Sequence, residues 1–327
     1  MAIQTKEEKN MKRVISIVLV LLLALSLTAC GGSTTMTMGT GSDTGTYYSY
    51  GGVLGQYMMN KAGINVTVVS TEGSKSNIQG IDAGNYQLGT VQSDVMSYAW
   101  EGTRAFEEDG KIDSFRVVAG LYAEAVQLIT MDPSIKTVAD LKGKSVSIGA
   151  AGSGVYFNAI DVLTAAGLTE KDIKPQYQDF GASTDALKDG KIDAAFIVAG
   201  APTPAITELC MTNDARLVPI DGAVAKAMMD SNPFYTTYKI PADTYEGQKE
   251  EVTTVTVKAT LIVSADASED DVYNLTASIF DNVEEISKEH GKGAELTLEN
   301  ATDGMTAPFH KGAAKYFAEK NITVEAK

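Results

Sequence analysis

Arginine is scarce in this 327-residue chain: after Arg13 only Arg104, Arg116 and Arg216 remain. A carboxylate ligand would have to be held by one of these, by lysine, or by neutral N–H and O–H donors. Cysteine is scarcer still, with Cys30 and Cys210 the whole supply. A Cys-X-X-Cys pair or a Cys/His zinc site is excluded by count. The two histidines, His290 and His310, have no cysteine near them. The common catalytic signatures are missing as well: there is no G-x-S-x-G, G-x-x-x-x-G-K-[ST], H-E-x-x-H or G-x-G-x-x-G, and residues 149–154 lack the dinucleotide-binding spacing. Glu107-Glu108 and Glu284-Glu285 read as solvated surface. Cys210 reads as a small buried hydrophobe. No enzyme activity, cofactor or metal is therefore expected. Positive charge is short too. The first thirty residues carry Lys6, Lys9, Lys12 and Arg13 against Glu7 and Glu8, a net +2 within the −15 of the whole chain, so the remainder carries −17. That disfavours nucleic acid and an anionic membrane face as partners.

Long apolar runs are limited to one, at residues 14–27. At about fourteen residues it is short for a transmembrane helix and suits a signal-peptide core. Lys12-Arg13 precede it, and Leu27-Thr28-Ala29-Cys30 closes it. The pattern resembles a bacterial lipoprotein signal over residues 1–30, with Cys30 the lipidated residue and 31–35 a linker. Two or more acyl chains, at about 0.8 kcal/mol per buried CH₂, give a stable anchor. The expected location is extracytoplasmic, lipid-anchored to the membrane. The remaining length suits two domains.

What is present is a repeated strand–loop–helix pattern. Met38-Gly39-Thr40-Gly41-Ser42-Asp43-Thr44-Gly45-Thr46-Tyr47-Tyr48 reads as a strand end, a loop of small residues and the first turn of a helix. Unpaired N–H groups and the positive end of a helix dipole favour an anion there. Lys144-Ser145-Val146-Ser147-Ile148-Gly149 leading to Gly154-Val155-Tyr156-Phe157 repeats the pattern. Ile81-Asp82-Ala83-Gly84 before residues 88–91, and Leu187-Lys188-Asp189-Gly190 before 192–196, extend the match. Two similar βαβαβ lobes follow, with ligand-binding loops at the carboxyl ends of their strands. Residues 116–121 are expected as a strand, broken at Tyr122-Ala123-Glu124 and resumed at 126–131. Residues 232–241 read as an aromatic loop and 268–287 as one amphipathic helix. At about 3.3 Å per residue, the β-branched run 252–263 is long enough to span lobes. Crossings near 121–131 and 252–263 would make a two-strand hinge. Asp94 reads as an N-cap.

Assembled in order, the motifs are similar to those of the TAXI family, the solute-binding subunits of tripartite ATP-independent periplasmic (TRAP) transporters. They are Gly45-Thr46-Tyr47-Tyr48, Thr71-Glu72-Gly73-Ser74 with Asn77, Gln92-Ser93-Asp94-Val95, Leu121-Tyr122-Ala123-Glu124, Gly152-Ser153-Gly154, Gly190-Lys191-Ile192-Asp193-Ala194, Gly200 with Pro202, and Pro308-Phe309-His310-Lys311. The resemblance covers nearly all of the chain after residue 30. It implies a type II periplasmic-binding-protein fold of two α/β lobes, one from 36–122 and 258–327 and the other from 123–257. It also implies capture of a small organic anion or amino acid, such as glutamate, glutamine or a dicarboxylate, and delivery to a permease driven by an ion gradient. A monomer is expected. Thr46, Tyr47, Ser74, Asn77 and Gln92 should line the first lobe. Ser153, Gly154, Val155 and Gly200 should line the second, with Tyr122 near the hinge. Asp43 departs from the family pattern and should point away from the cleft or meet a ligand amine. A ligand-sensing lipoprotein with a signalling partner, and a secreted enzyme, are the alternatives.

Overall fold

The computed structural model describes residues 34–327, so Cys30 and the 14–27 run lie outside the described residues. No described helix is long and apolar enough to cross a membrane.

Among the described residues ten strands form one sheet in the order β2-β1-β3-β10-β4-β7-β5-β6, with β8 (Arg216–Val218) beside β4 and β9 (Thr236–Ile240) beside β10. The first parallel group is β1 (Thr35–Gly39), β2 (Asn65–Val69) and β3 (Leu88–Gln92). The second is β5 (Ser145–Ser147), β6 (Lys174–Gln176) and β7 (Ala194–Ala199). Each group places its first strand between the other two, so the order reads the same from both ends. Each also carries a helix after its first and second strands: Thr46–Ala62 and Ser74–Asp82 in one, Gly154–Ala165 and Phe180–Lys188 in the other. This is the doubled βαβαβ pattern of the sequence.

The long antiparallel strands β4 (Phe115–Thr130) and β10 (Val252–Ser264) join the groups. One apolar core is built from residues between Met36 and Tyr122 and from Ala259 onward. Two others, beginning at Ala125 and Val126, involve no residue beyond Val257. The chain thus passes between cores near Tyr122–Ala125 and Val257–Ala259. Ala123 pairs with Lys258 and Glu124 with Val257 at the crossing, and the register shifts between Lys258 and Thr260.

Three local expectations are corrected. Tyr122-Ala123-Glu124 does not interrupt a strand; β10 supplies backbone partners for that stretch, so its polar side chain does not end the ladder. Residues 236–240 are not loop but β9 (Thr236–Ile240), zipped onto β10. The 268–287 helix is two, Glu269–Phe280 and Val283–Glu289. Asn282 breaks it: its side-chain amide donates to the Ser278 carbonyl at 2.9 Å, and a side chain competing for backbone groups bends or ends a helix.

Candidate functional site

The carboxyl ends of all six parallel strands face one cavity, where open α/β sheets place ligands. From the first lobe come Gly41–Tyr47, Glu72–Ser74 and Gln92; from the second, Ala150 with Ser153–Val155, Gln178–Phe180 and Val198–Ala199; from the crossing strand comes Glu124. The cavity they enclose is small, about 40 Å³.

Helix starts dominate these walls. The helix Thr46–Ala62 begins at Gly45, Ser74–Asp82 at Gly73 and Ser93–Glu101 at Gln92, and none of the three has a side-chain cap. The positive ends of the helix dipoles stand behind these starts. In the Ser74 helix Ser76 N already donates to the Gly152 carbonyl at 3.2 Å, and in the Ser93 helix first-turn N–H groups bond the Asp94 carboxylate. The Thr46 helix and the first residues of the Ser74 helix therefore offer the free donors. Gly73 holds φ +115°, a conformation that L side chains rarely adopt, and so brings the Ser74 turn against the cavity. In the second lobe the caps are filled: Ser153 Oγ accepts from Tyr156 N at 3.4 Å, and Asp179 Oδ1 from Ala182 N at 2.8 Å.

Seven of the ten sequence-predicted residues meet in this lining: Thr46, Tyr47, Ser74, Gln92, Ser153, Gly154 and Val155. Several of their polar groups are already engaged. Thr46 Oγ1 donates across the cleft to the Gly200 carbonyl at 2.8 Å, and Ser74 Oγ accepts from Gln92 N at 3.1 Å. The other three stand behind the walls. Asn77 is wholly buried; its amide nitrogen donates to the Thr40 and Thr90 carbonyls at 2.6 and 2.8 Å, and its oxygen accepts from Thr71 Oγ1 at 2.7 Å. It braces two strand ends rather than lining the cavity. Gly200 allows close packing: a Cβ there would press Lys292, Tyr122 and Thr46. Tyr122 is buried edge-to-face on Tyr50, its ring beneath the Lys292 ammonium at 5.7 Å, and its hydroxyl has no partner. Asp43 is exposed and outside the lining.

The sequence reading missed Glu124, Gln178 and Asp179 as lining residues. Glu124 is the most consequential. It is 1% exposed, and its Oε2 accepts from Tyr47 OH at 2.8 Å. Burial pushes its carboxyl well above the usual range, against the lowering pull of Tyr47 and Lys292. Burial, with the Glu124 charge beside it, also pushes the Tyr47 phenol up. The available signal was an acidic residue inside an otherwise apolar β-branched run.

Asp94 is likewise not the N-cap; that position is Gln92. Asp94 lies buried in the first turn and accepts from Asn158 Nδ2 of the other lobe at 3.1 Å. Other bonds also cross the cleft: Ser76 N to the Gly152 carbonyl at 3.2 Å, Ala205 N to the Thr44 carbonyl at 3.0 Å, and a bidentate Arg104–Asp161 pair at 2.5 and 3.1 Å. The lobes are closed on each other. Glycine permits this closeness, since a Cβ on Gly154 would collide with Gln92 Oε1 and one on Gly152 with Glu72.

No cluster of three or more metal-ligating side chains occurs among the described residues. Cys210 is buried, its thiol pushed up to about 11 by desolvation.

Comparison with known proteins agrees with the architecture. Residues 38–320 match the family model described as NMT1-like. A solved structure from Bordetella bronchiseptica RB50 superposes with a TM-score of 0.54 at 17% identity, over 87% of this chain and 89% of that one. A binding protein component of an ABC phosphonate transporter from Pseudomonas aeruginosa gives a TM-score of 0.53 at 11% identity, over 80% and 79%. The fold is that of type II periplasmic binding proteins.

Proposed function

We propose that this chain, which belongs to the NMT1-like family, captures a small carboxylate or amino acid outside the cytoplasm and delivers it to a membrane permease of the TRAP type. It acts without chemical turnover. The reading rests above all on the starts of the Thr46–Ala62 and Ser74–Asp82 helices, which carry no side-chain cap and open, from one lobe, into the interlobe cavity. A carboxylate there would take N–H bonds worth roughly 1.5–3 kcal/mol each, and a few of them support micromolar affinity after ordering costs. The lobes, 36–122 with 258–327 against 123–257, would part about the paired strands at Ala123 and Lys258. Cys30 would carry the lipid that keeps the receptor near its permease.

Titration calorimetry of the purified protein against glutamate, glutamine, 2-oxoglutarate and other C4–C5 acids tests the reading. Saturable binding without turnover is expected; turnover of any of them would refute it. The TRAP assignment follows the motif resemblance and is tested by uptake in vesicles that carry the permease, which should need an ion gradient and no ATP. A Cys30→Ala protein that stayed in the membrane fraction would contradict the lipid anchor.

A further inference from the structure

We propose that Glu124 selects the charge of the ligand: the cavity takes a zwitterion, with an ammonium against Glu124 and a carboxylate on the uncapped helix starts, and discriminates against acids that lack the amine. The inference rests on the solute-binding reading above and narrows it.

The first support is the charge of the lining. It contains three carboxylates, of Glu72, Glu124 and Asp179, and no lysine, arginine or histidine. The nearby cation, Lys292, is already held: its Nζ donates to Glu295 Oε1 at 2.6 Å and lies over the Tyr122 ring. Lys292 and Glu295 cancel, and an ionised Glu124 is left over. A second anionic group on the ligand would meet no countercharge and would be repelled.

The second support is an excess of acceptors. Tyr47 occupies Glu124 Oε2, while Glu124 Oε1 has no donor within the protein. Gln92 Oε1 and Gln178 Oε1, from opposite lobes, are buried without partners and belong to residues of the same lining. Buried acceptors left unpaired cost about 1–3 kcal/mol each. An ammonium brings three N–H donors and the opposite charge. It would bond Glu124 directly, and its positive charge would offset the desolvation that disfavours the ionised carboxylate. The uncapped helix starts take the other end of the molecule.

The test pairs each common L-amino acid with the same acid lacking its amine, measured by calorimetry on wild type and Glu124→Gln. Wild type should bind at least one amino acid about ten- to a hundredfold more tightly than its amine-free counterpart. Glu124→Gln should lose most of that gap by weakening the amino acid alone. Its unliganded melting temperature should hold or rise, since it removes a buried charge. Equal binding of the amine-free acids to wild type, tightening as pH falls, would put a proton on Glu124 and overturn the inference while leaving the receptor reading intact. A Glu124→Gln protein that melted earlier and bound both sets equally weakly would reduce Glu124 to a structural part and overturn it too. Binding of neither set would overturn both readings.

Discussion

Asn158 Nδ2 donates to Asp94 Oδ2 at 3.1 Å, while Asp94 Oδ1 and Asn158 Oδ1 are both buried without a partner. The two residues belong to helices of different lobes. A proton on Asp94 would remove one of these orphaned acceptors. Burial pushes this carboxyl from 3.8 up to about 7, with Asp161 adding to the rise and N–H donors opposing it. Tyr98 and Tyr235 also face it; Arg104 lies beyond, paired to Asp161; and Glu124 is near enough to feel its charge.

The sign of the pH dependence follows. A carboxyl raised in the closed form binds its proton more tightly there than in water. Its contribution is full below 3.8 and is lost as pH rises through about 7. Asp94→Asn, which fixes a neutral amide in its place, should flatten that part of the profile and raise the melting temperature at pH 8 by several degrees relative to wild type. Thermal scans from pH 4 to pH 9 check this. Glu124 shifts in the same direction, so the difference between variant and wild type is the informative quantity.

Gly154→Ala should separate folding from closure. Alanine suits a first helical turn, so melting without ligand should be unchanged or slightly higher. Its methyl would collide with Gln92 Oε1 only when the lobes meet. Affinity should fall by at least about tenfold, the equivalent of 1.4 kcal/mol, and small-angle scattering should show a larger radius of gyration.

Asn77→Ala should damage stability rather than recognition. It would leave the Thr40 and Thr90 carbonyls and the Thr71 hydroxyl without their partner. A loss of about 2–4 kcal/mol is expected in urea unfolding. A variant of wild-type stability that binds no ligand would instead return Asn77 to the binding surface.

The Arg104–Asp161 clasp should act mainly on release. It joins the lobes away from the cavity, with the arginine side chain 36% exposed, so solvent screening limits it to at most ~1 kcal/mol. Arg104→Ala should raise the dissociation rate a few-fold and leave association nearly unchanged, as stopped-flow fluorescence would report.

The architecture was legible because its signals are local. Small-residue loops between β-branched runs and helix-period segments mark βαβ units wherever they occur, and the motifs around Gly45 and Gly154 repeat in order. What escaped the sequence depends on distant partners. Residues 236–240 look like an aromatic loop until β10 lies beside them. Tyr122-Ala123-Glu124 reads as a break because its pairing strand is over a hundred residues away. In the site, residues on helix starts were found, since caps and glycines announce themselves. Asn77, Tyr122 and Gly200 were placed near the right loops, but whether a side chain turns into a cavity or braces its wall is decided by packing. Glu124 stands within a motif that gives it no role, because nothing local tells a buried carboxylate facing a cavity from one at a strand's edge.

The double passage of the chain between its cores has a consequence for biogenesis. The segment between the two passages is continuous and holds all the strands of its own core, so it can assemble as soon as β10 has emerged. The other core must wait: β1, β2 and β3 are made first, yet their neighbour β10 and the closing helices, from Glu269–Phe280 to Lys311–Glu319, are made last. During synthesis the N-terminal strands therefore remain an unfinished edge, the condition in which chaperones are most needed. Limited proteolysis of chains truncated after residue 264 should leave the middle segment resistant and the first strands cut.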